Sequence, residues 1–493
     1  MKINDFDEDF NFEKKRTSNT LFILKIVGII IVMFVFFNIF FISKMQSSDS
    51  YEIGEKGERY ENSEFIKYQG EIYVLIPSGG MYVLENVDID TFKPLNPKDY
   101  YSKIVGLDKN NVYFGNIAIP DLNPATFYSI GNGYYSDGTN TYFCSLTSER
   151  NKNLSTPMEI LQSLMYSFSK TKKPQTYIYP YKKLETNNKL IAVKDLYYFA
   201  TDGEKVYYKG EILENADIDT LKNVNNEYFV DKENVYYKSK ILPIKNSGKL
   251  VVVSNEQGDE FLYDEANGYV FIGDYSFDKE KAPYKVVGNN GNHLYNLIFI
   301  AKDGVYYYNN QKKKQERVGD NIFIGEIKEL SPNTFSDDEN IYYFHAYKIW
   351  HKLKGGGRIL SSINTEIYCL DRKNGWEKVT DIEGGIVGSI WKKGENYYYF
   401  DNEGIFQSIN DTIYKISDKN ILEYLMNVDN ADSDKIRKLI ENEKLIKIAG
   451  EKKIEIVVKY ESAEILMIKY SKIFLVLFVI GAIILKVVKK LKK

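Results

Sequence analysis

The string "DKENVYY", Asp231–Tyr237, returns as "DKNNVYF" from Asp108, "DGTNTYF" from Asp137, "DGEKVYY" from Asp202 and "DDENIYY" from Asp337. Each copy opens with a carboxylate that can accept a hydrogen bond from a backbone N–H two residues on, which closes a turn, and in the first string Asn234 tolerates a left-handed backbone. The residues that follow are mostly β-branched and aromatic, types that fit a pleated, half-buried surface. Together they predict a β-hairpin. Asp108 and Asp137 are 29 residues apart, and so are Asp202 and Asp231. A fixed period of this size signals a repeat architecture, in which each unit buries its face against the next. Asp108, Asp137, Asp202, Asp231 and Asp337 are therefore expected to be structural turn residues.

A second element precedes copies of the first: "DIDTF" at 88–92, "DLNPATF" at 121–127, "DIDTL" at 217–221 and "SPNTF" at 331–335. Three copies also carry an aromatic residue three positions before the aspartate, namely Tyr134, Phe199 and Tyr228. With this ordered pair of elements the chain resembles the DKNYY family over residues 85 to 240 and again over 300 to 345. The resemblance implies a bacterial repeat protein without an established activity, so it transfers no catalytic residue. Thr141 replaces the usual valine, and "DGVYYY" at Asp303 has lost two turn residues, so the repeat is expected to be less regular there.

The ends of the chain differ from its middle. Ile26 to Ile42 is a run of seventeen residues without a charge, extended by Leu21 to Leu24 beyond Lys25, long enough to span a bilayer. No A-x-A pattern follows it, which favours an uncleaved anchor over a removed signal peptide. The thirteen apolar residues Ile473 to Leu485 form a second, shorter segment, read as a span or as an interfacial helix. "EKKR" before the first segment and "KVVKKLKK" after the second place both termini on the cytoplasmic side and everything between them outside. The 45–470 stretch holds 53 basic and 63 acidic residues, a net of about −10, which argues against nucleic acid as a partner.

The expected order is a cytoplasmic tail (1–20), a transmembrane helix (21–43) and a linker (44–64). A DKNYY-like β-repeat region (65–345) and a second β-repeat region (346–420) follow. A helical juxtamembrane segment (421–472), a second transmembrane helix (473–488) and a basic cytoplasmic tail (489–493) complete the chain. The fold class is all-β: antiparallel hairpin repeats, closed as a propeller or stacked openly, with small helical insertions. "IYCLDRKNG" at Ile367 and "IYKISDKNI" at Ile413 repeat at 46 residues, a period near that of a four-stranded propeller blade. "STPMEILQSLMYSFSK" predicts a helix with Ile160, Leu161, Leu164 and Phe168 on its buried face. Acids at Asp432 to Asp434 predict a second helix start, with Ile436, Leu439 and Ile440 buried, followed by the strand "IEIVVKY".

Chemical signatures are few. "DIDT" and "DNADSD" lack a calcium-loop pattern, and His293, His345 and His351 are not spaced for zinc, so no metal or cofactor is expected. "GGGR" at 355–358 lacks the lysine and hydroxyl of a phosphate loop. Cys144 and Cys369 read as small core residues in preference to a disulfide, and the 42 tyrosines chiefly as core. The function that fits is a membrane-anchored extracytoplasmic binding or interaction module whose partner is an envelope protein or glycan. An envelope glycan hydrolase with paired carboxylates and a purely structural spacer are the alternatives.

Overall fold

The computed structural model describes residues 49–96, 98–119, 121–169, 173–186, 188–290, 294–352, 356–402, 412–427 and 432–460. The two expected membrane spans, both tails and His293 lie outside these residues. Among the described residues no helix is long and apolar enough to cross a membrane. The chain divides into two compact units between Leu221 and Lys222, inside the stretch read as one repeat region.

In the first unit, sheets 1 (58–83), 2 (93–119), 3 (128–184) and 4 (191–213) are each four-stranded and antiparallel, with strands in chain order except that in sheet 3 Thr141–Cys144 pairs with Tyr181–Leu184 past a separate two-stranded ribbon, Glu149–Arg150 with Tyr177–Ile178. The second unit continues with sheets 5 (222–245), 6 (250–276) and 7 (285–319). Its sheets 8 (328–372) and 9 (376–416) each add a fifth edge strand, Glu451–Lys459 and Leu445–Lys447 respectively. The blade-like meander that the sequence suggests only near 345–420 is thus the common unit of the chain. Ile367 and Ile413, 46 residues apart, both lie in the fourth strand of their sheets, 8 and 9.

The aspartate-led hairpins form the two middle strands of their sheets. In sheet 5 Tyr228 pairs with Tyr237 and Val230 with Val235, leaving a four-residue loop. The Asp231 N–H donates to the Asn234 carbonyl at 3.1 Å, and the same bond closes the loops at Asp108, Asp137, Asp202 and Asp337. Asn234 does not adopt the left-handed backbone its residue type allows; it begins the strand Asn234–Tyr237. The outer strands Lys93–Pro94 and Lys222–Asn223 are two residues long and carry no sequence signal, because backbone pairing alone defines them.

Packing is between consecutive sheets. One core joins sheets 1, 2 and 3 through Phe65, Val74, Val105, Phe114 and Tyr135, and another joins sheets 3 and 4 through Tyr134, Phe143, Ala200 and Tyr207. In the second unit sheets 5 and 6 share Tyr228 and Phe271, sheets 6 and 7 share Phe261 and Phe299, and sheets 7 and 8 share Ile298 and Phe344. Tyrosines are core, as their number suggests: Tyr113, Tyr134, Tyr135, Tyr228, Tyr236, Tyr284, Tyr399 and Tyr414 are all fully buried. A buried phenol needs a partner for its hydroxyl. Tyr135 donates to the Tyr101 carbonyl at 2.7 Å, Tyr284 to the Asp278 carbonyl at 2.9 Å and Tyr399 to the Val387 carbonyl at 2.9 Å. Cys144 and Cys369 are free thiols, Cys144 fully enclosed in the first core.

Among the described residues four α-helices interrupt the strands: α1 (Asp49–Lys56), α2 (Thr156–Ser169), α3 (Lys419–Asn427) and α4 (Ser433–Glu441). Helix α1 and the strand Glu58–Arg59 occupy the stretch read as a flexible linker, held because Ile53 is buried against Ile66 and Met81. Helix α4 begins where its acids indicate: Asp432 accepts from the Lys435 N–H at 2.8 Å, and Ile436, Leu439 and Ile440 pack onto sheet 9. Helix α2 departs from expectation. Ile160 and Leu161 are 53% and 51% exposed, while the side chains of Leu164 and Phe168 lie outside the description. Among its described side chains Ser163 is buried, and Glu159 pairs with Arg150 at 2.5 Å.

Candidate functional site

The five aspartates are nearly identical constructions. Asp108 accepts at Oδ1 from the Asn110 and Asn111 N–H groups, each at 2.7 Å. Its Oδ2 accepts from the Tyr113 hydroxyl at 2.8 Å and from the Asp88 N–H at 2.7 Å. The carboxylate is buried and all four donors point inward. Asp231 repeats the pattern with Glu233 N, Asn234 N and the Tyr236 hydroxyl at 2.8, 2.6 and 2.9 Å. At Asp337 the donors are Glu339 N, Asn340 N, the Tyr342 hydroxyl and Ile324 N. At Asp202 the Thr186 hydroxyl takes the place of the distant backbone donor.

This arrangement explains the spacing of the string. Two N–H groups at the third and fourth positions need a short acceptor at the first, and the tyrosine five positions after the aspartate returns across the hairpin to the second oxygen. Glutamate would place its oxygens one methylene too far. Hydrogen bonds to a charged group are worth about 1.5–3 kcal/mol each, so every turn is a local anchor. Burial opposes ionisation at Asp108, Asp137 and Asp202, but the hydrogen bonds outweigh it and hold each carboxyl below the usual aspartate range.

The two recurrent elements touch. Beyond the Asp88 N–H bond, the Thr91 hydroxyl accepts from Lys109 N at 3.2 Å, while Asp88 Oδ1 accepts from that hydroxyl at 2.9 Å. At the next copy Asn123 N donates to Asp137 Oδ2 at 3.0 Å and the Thr126 hydroxyl to the Asp137 carbonyl at 2.8 Å. "SPNTF" is not equivalent: it makes the turn into the middle strand Thr334–Ser336, and the residue docking on Asp337 is Ile324. The Asp137 copy differs in another way, because the Tyr142 hydroxyl goes to Asp121 Oδ1 at 2.6 Å. At the shortened Asp303 copy the Tyr306 hydroxyl, three positions on, bonds both carboxylate oxygens at 3.1 and 3.0 Å. A related turn that the sequence does not announce lies at Asp264, which accepts from Ala266 N at 3.0 Å.

With their oxygens committed to backbone and tyrosine donors, these aspartates are the scaffold of the fold. The groups able to meet a ligand are elsewhere, on the long hairpin Asn340–Lys352 and Arg358–Arg372 of sheet 8. Its inner half carries a polar row. Glu366, 5% exposed at the side chain, accepts from the Tyr368 hydroxyl at 2.8 Å, meets His345 Nδ1 at 3.2 Å and pairs with Lys452 at 3.1 Å. Burial disfavours its charge, yet Tyr368, His345 and Lys452 together hold its carboxyl below the usual glutamate range. Lys452 also pairs with Glu455 at 3.4 Å, the residue opposite Glu366 in the neighbouring strand. The two carboxylates are therefore bridged by one ammonium group, and the buried one is pushed toward its ionised form. A general acid for glycoside hydrolysis needs the opposite shift, so Glu366 is not poised as one.

The outer half of the hairpin leaves the core. Lys348, Ile349, Trp350, His351, Lys352 and Arg358 are all exposed, Trp350 by 49%. His351 is thus at the surface, whereas His345 is half-buried. Lys348 lies 4.7 Å above the Tyr295 ring, which fixes the root of this extension, and cross-strand pairing sets Trp350 opposite Leu360 and Lys352 opposite Arg358. Among the described residues no ion pair engages Lys348, Lys352 or Arg358. An aromatic face among unpaired cations can stack on a ring and attract anions. Sequence reading did not find this surface; the signal available was the run "KIWHK" inside an otherwise core-like strand.

Among the described residues no cluster of His, Cys, Asp or Glu could hold a metal ion. No curated protein and no solved structure matches the chain. One family model does, and its residues include four of the five aspartate turns and both docked elements of the first unit. Residues 65–240 of this chain match the model of the DKNYY family.

Proposed function

We propose that this protein is a membrane-anchored, extracytoplasmic binding module whose stacked sheets present the outer half of the sheet 8 hairpin to an anionic glycan of the cell envelope. The observation that carries the reading is the exposed Trp350 flanked by Lys348, Lys352 and Arg358, which no ion pair engages among the described residues, at the end of a hairpin rooted in a buried core. Two charge-free apolar runs, Ile26–Ile42 and Ile473–Leu485, with basic residues beyond them, support anchoring at both ends and the placement of the sheets outside. The net charge of the middle is acidic, but charges separated by more than about 8–10 Å are screened at physiological ionic strength, so the local cations govern contact at the hairpin end.

The test uses the full chain in lipid nanodiscs and poly(glycerol phosphate) as the probe. Tryptophan emission is expected to shift on titration, with affinity falling as salt rises. The triple change K348E, K352E and R358E is expected to abolish binding while leaving the circular dichroism unchanged, and W350F to remove the emission shift. Equal binding by the charge-reversed chain, or none by the native chain, would overturn the proposal.

A further inference from the structure

Helix α2 exposes an apolar stripe. Met158, Leu161 and Met165, spaced three and four residues apart, are 46%, 51% and 60% exposed, while among its described side chains Ser163 is buried and Glu159 and Tyr166 are half-buried. Side chains at this spacing form one stripe along a helix. Ile160, 53% exposed, widens the apolar surface. Arg150 holds Glu159, and Arg150 belongs to a two-stranded ribbon with Tyr177–Ile178.

The position of this helix says what covers it. Lys173, four residues after the helix ends, donates to the Gly79 and Met81 carbonyls at 2.5 and 3.0 Å and lies 4.4 Å above the Tyr82 ring. The Ser50 hydroxyl in the first turn of α1 accepts from the Met81 N–H at 3.1 Å. A Cβ on Gly80 would meet both Ser50 Oγ and Lys173 Nζ, at 2.7 and 3.2 Å. The exit of α2 and the entry of α1 are thus clamped to the same turn of sheet 1. Asp49 lies seven positions after Ile42, the last residue of the apolar run. An extended chain of that length reaches at most about 25 Å, so α2 is held within reach of wherever that run enters a bilayer. Tyr51, beside Ser50, is 73% exposed, and tyrosine favours the headgroup level.

We infer that α2 is an interfacial helix whose exposed stripe, Met158, Leu161 and Met165 with Ile160 beside it, enters the outer surface of the membrane and fixes the first unit against it. Lipid is the occupant, because the same turn of sheet 1 that ends α2 receives the chain from the apolar run, and because the exposed Lys152 lies just ahead of the helix to meet headgroup phosphates. The inference rests on the anchoring part of the proposed function.

The experiment places an environment-sensitive fluorophore on the full chain at Leu161→Cys, in a Cys144→Ala, Cys369→Ala background, reconstituted in phosphatidylethanolamine and phosphatidylglycerol vesicles. Ile191→Cys, in sheet 4, reports the baseline. The Leu161 label is expected to emit at shorter wavelength than the Ile191 label and to lose intensity when shallow doxyl lipids are included. A second variant, Met158→Glu with Leu161→Glu, with the label at Met165→Cys, is expected to lose that quenching while the circular dichroism stays native. A water-like, unquenched Leu161 label on chains that resist carbonate extraction overturns the inference and leaves anchoring intact. Release of the chain by carbonate overturns anchoring itself. A blue-shifted label that doxyl lipids do not quench but that transfers energy to a second labelled copy assigns the stripe to self-association and refutes lipid insertion.

Discussion

The sharpest consequence of the aspartate turns concerns Asp108→Asn. The amide keeps one oxygen for the Asn110 and Asn111 N–H groups, but its NH2 then faces the Asp88 N–H across the 2.7 Å now spanned by a hydrogen bond. The Tyr113 hydroxyl can rotate to accept; the backbone N–H cannot. Orphaning a buried donor costs about 1–3 kcal/mol, and loss of the charge-assisted tyrosine bond adds to this, giving about 2–4 kcal/mol of local destabilisation. At 1.4 kcal/mol per factor of ten, the Asp88 amide should exchange its hydrogen at least about 25-fold faster. Tyr113→Phe removes one bond at 2.8 Å and leaves the Asp88 amide bonded, so its effect should be about 1.5–3 kcal/mol and centred on the hairpin. Hydrogen exchange by mass spectrometry on peptides covering 86–92 and 106–115 separates the two. The double change should cost less than the sum of the single ones by about 1–2 kcal/mol, since both act on one oxygen. The Asp137→Asn, Tyr142→Phe pair should couple more weakly, because the Tyr142 hydroxyl goes to Asp121. An Asp88 amide indifferent to Asp108→Asn, or equal coupling in the two pairs, would refute the latch.

The folded carboxyls of Asp108, Asp137 and Asp202 lie below the unfolded value of about 3.9, so their stabilisation is fully present above that pH and is lost as pH falls through the lower folded values. Exchange protection at these turns should hold from neutral pH down to about 5 and weaken only in stronger acid; loosening between pH 5 and 6 would contradict the sign. Glu366→Gln removes the charge that Lys452, His345 and Tyr368 converge on, and is expected to lower the stability of the second unit by about 1–3 kcal/mol in denaturant titrations followed by tryptophan emission. Cys144 is fully enclosed and burial pushes its thiol up, so an aromatic disulfide reagent should modify Cys369 first and Cys144 only on unfolding, read by peptide mapping. Early modification of Cys144 would show that the first core opens.

What the sequence discloses and what it hides follow from how local each interaction is. The turn at Asp231 is legible because its donors lie within five residues, and the start of α4 because Asp432 caps three residues ahead. The meander was not legible, since strands such as Lys93–Pro94 are held by backbone pairing that no side chain announces. The row at Glu366 depends on Lys452, 86 residues away, and on a cross-strand histidine, so no spacing rule could assemble it. The stripe on α2 has the right period, but periodicity does not tell which side faces the protein.

The account as a whole depends on which side of the membrane the sheets occupy. In a Cys144→Ala, Cys369→Ala background, a cysteine at the exposed turn residue Lys313 and another at Lys14 can be treated with a membrane-impermeant maleimide on intact bacterial cells producing the full chain. Labelling at 313 in intact cells, and at 14 only after permeabilisation, is the predicted result. The reverse pattern would contradict it.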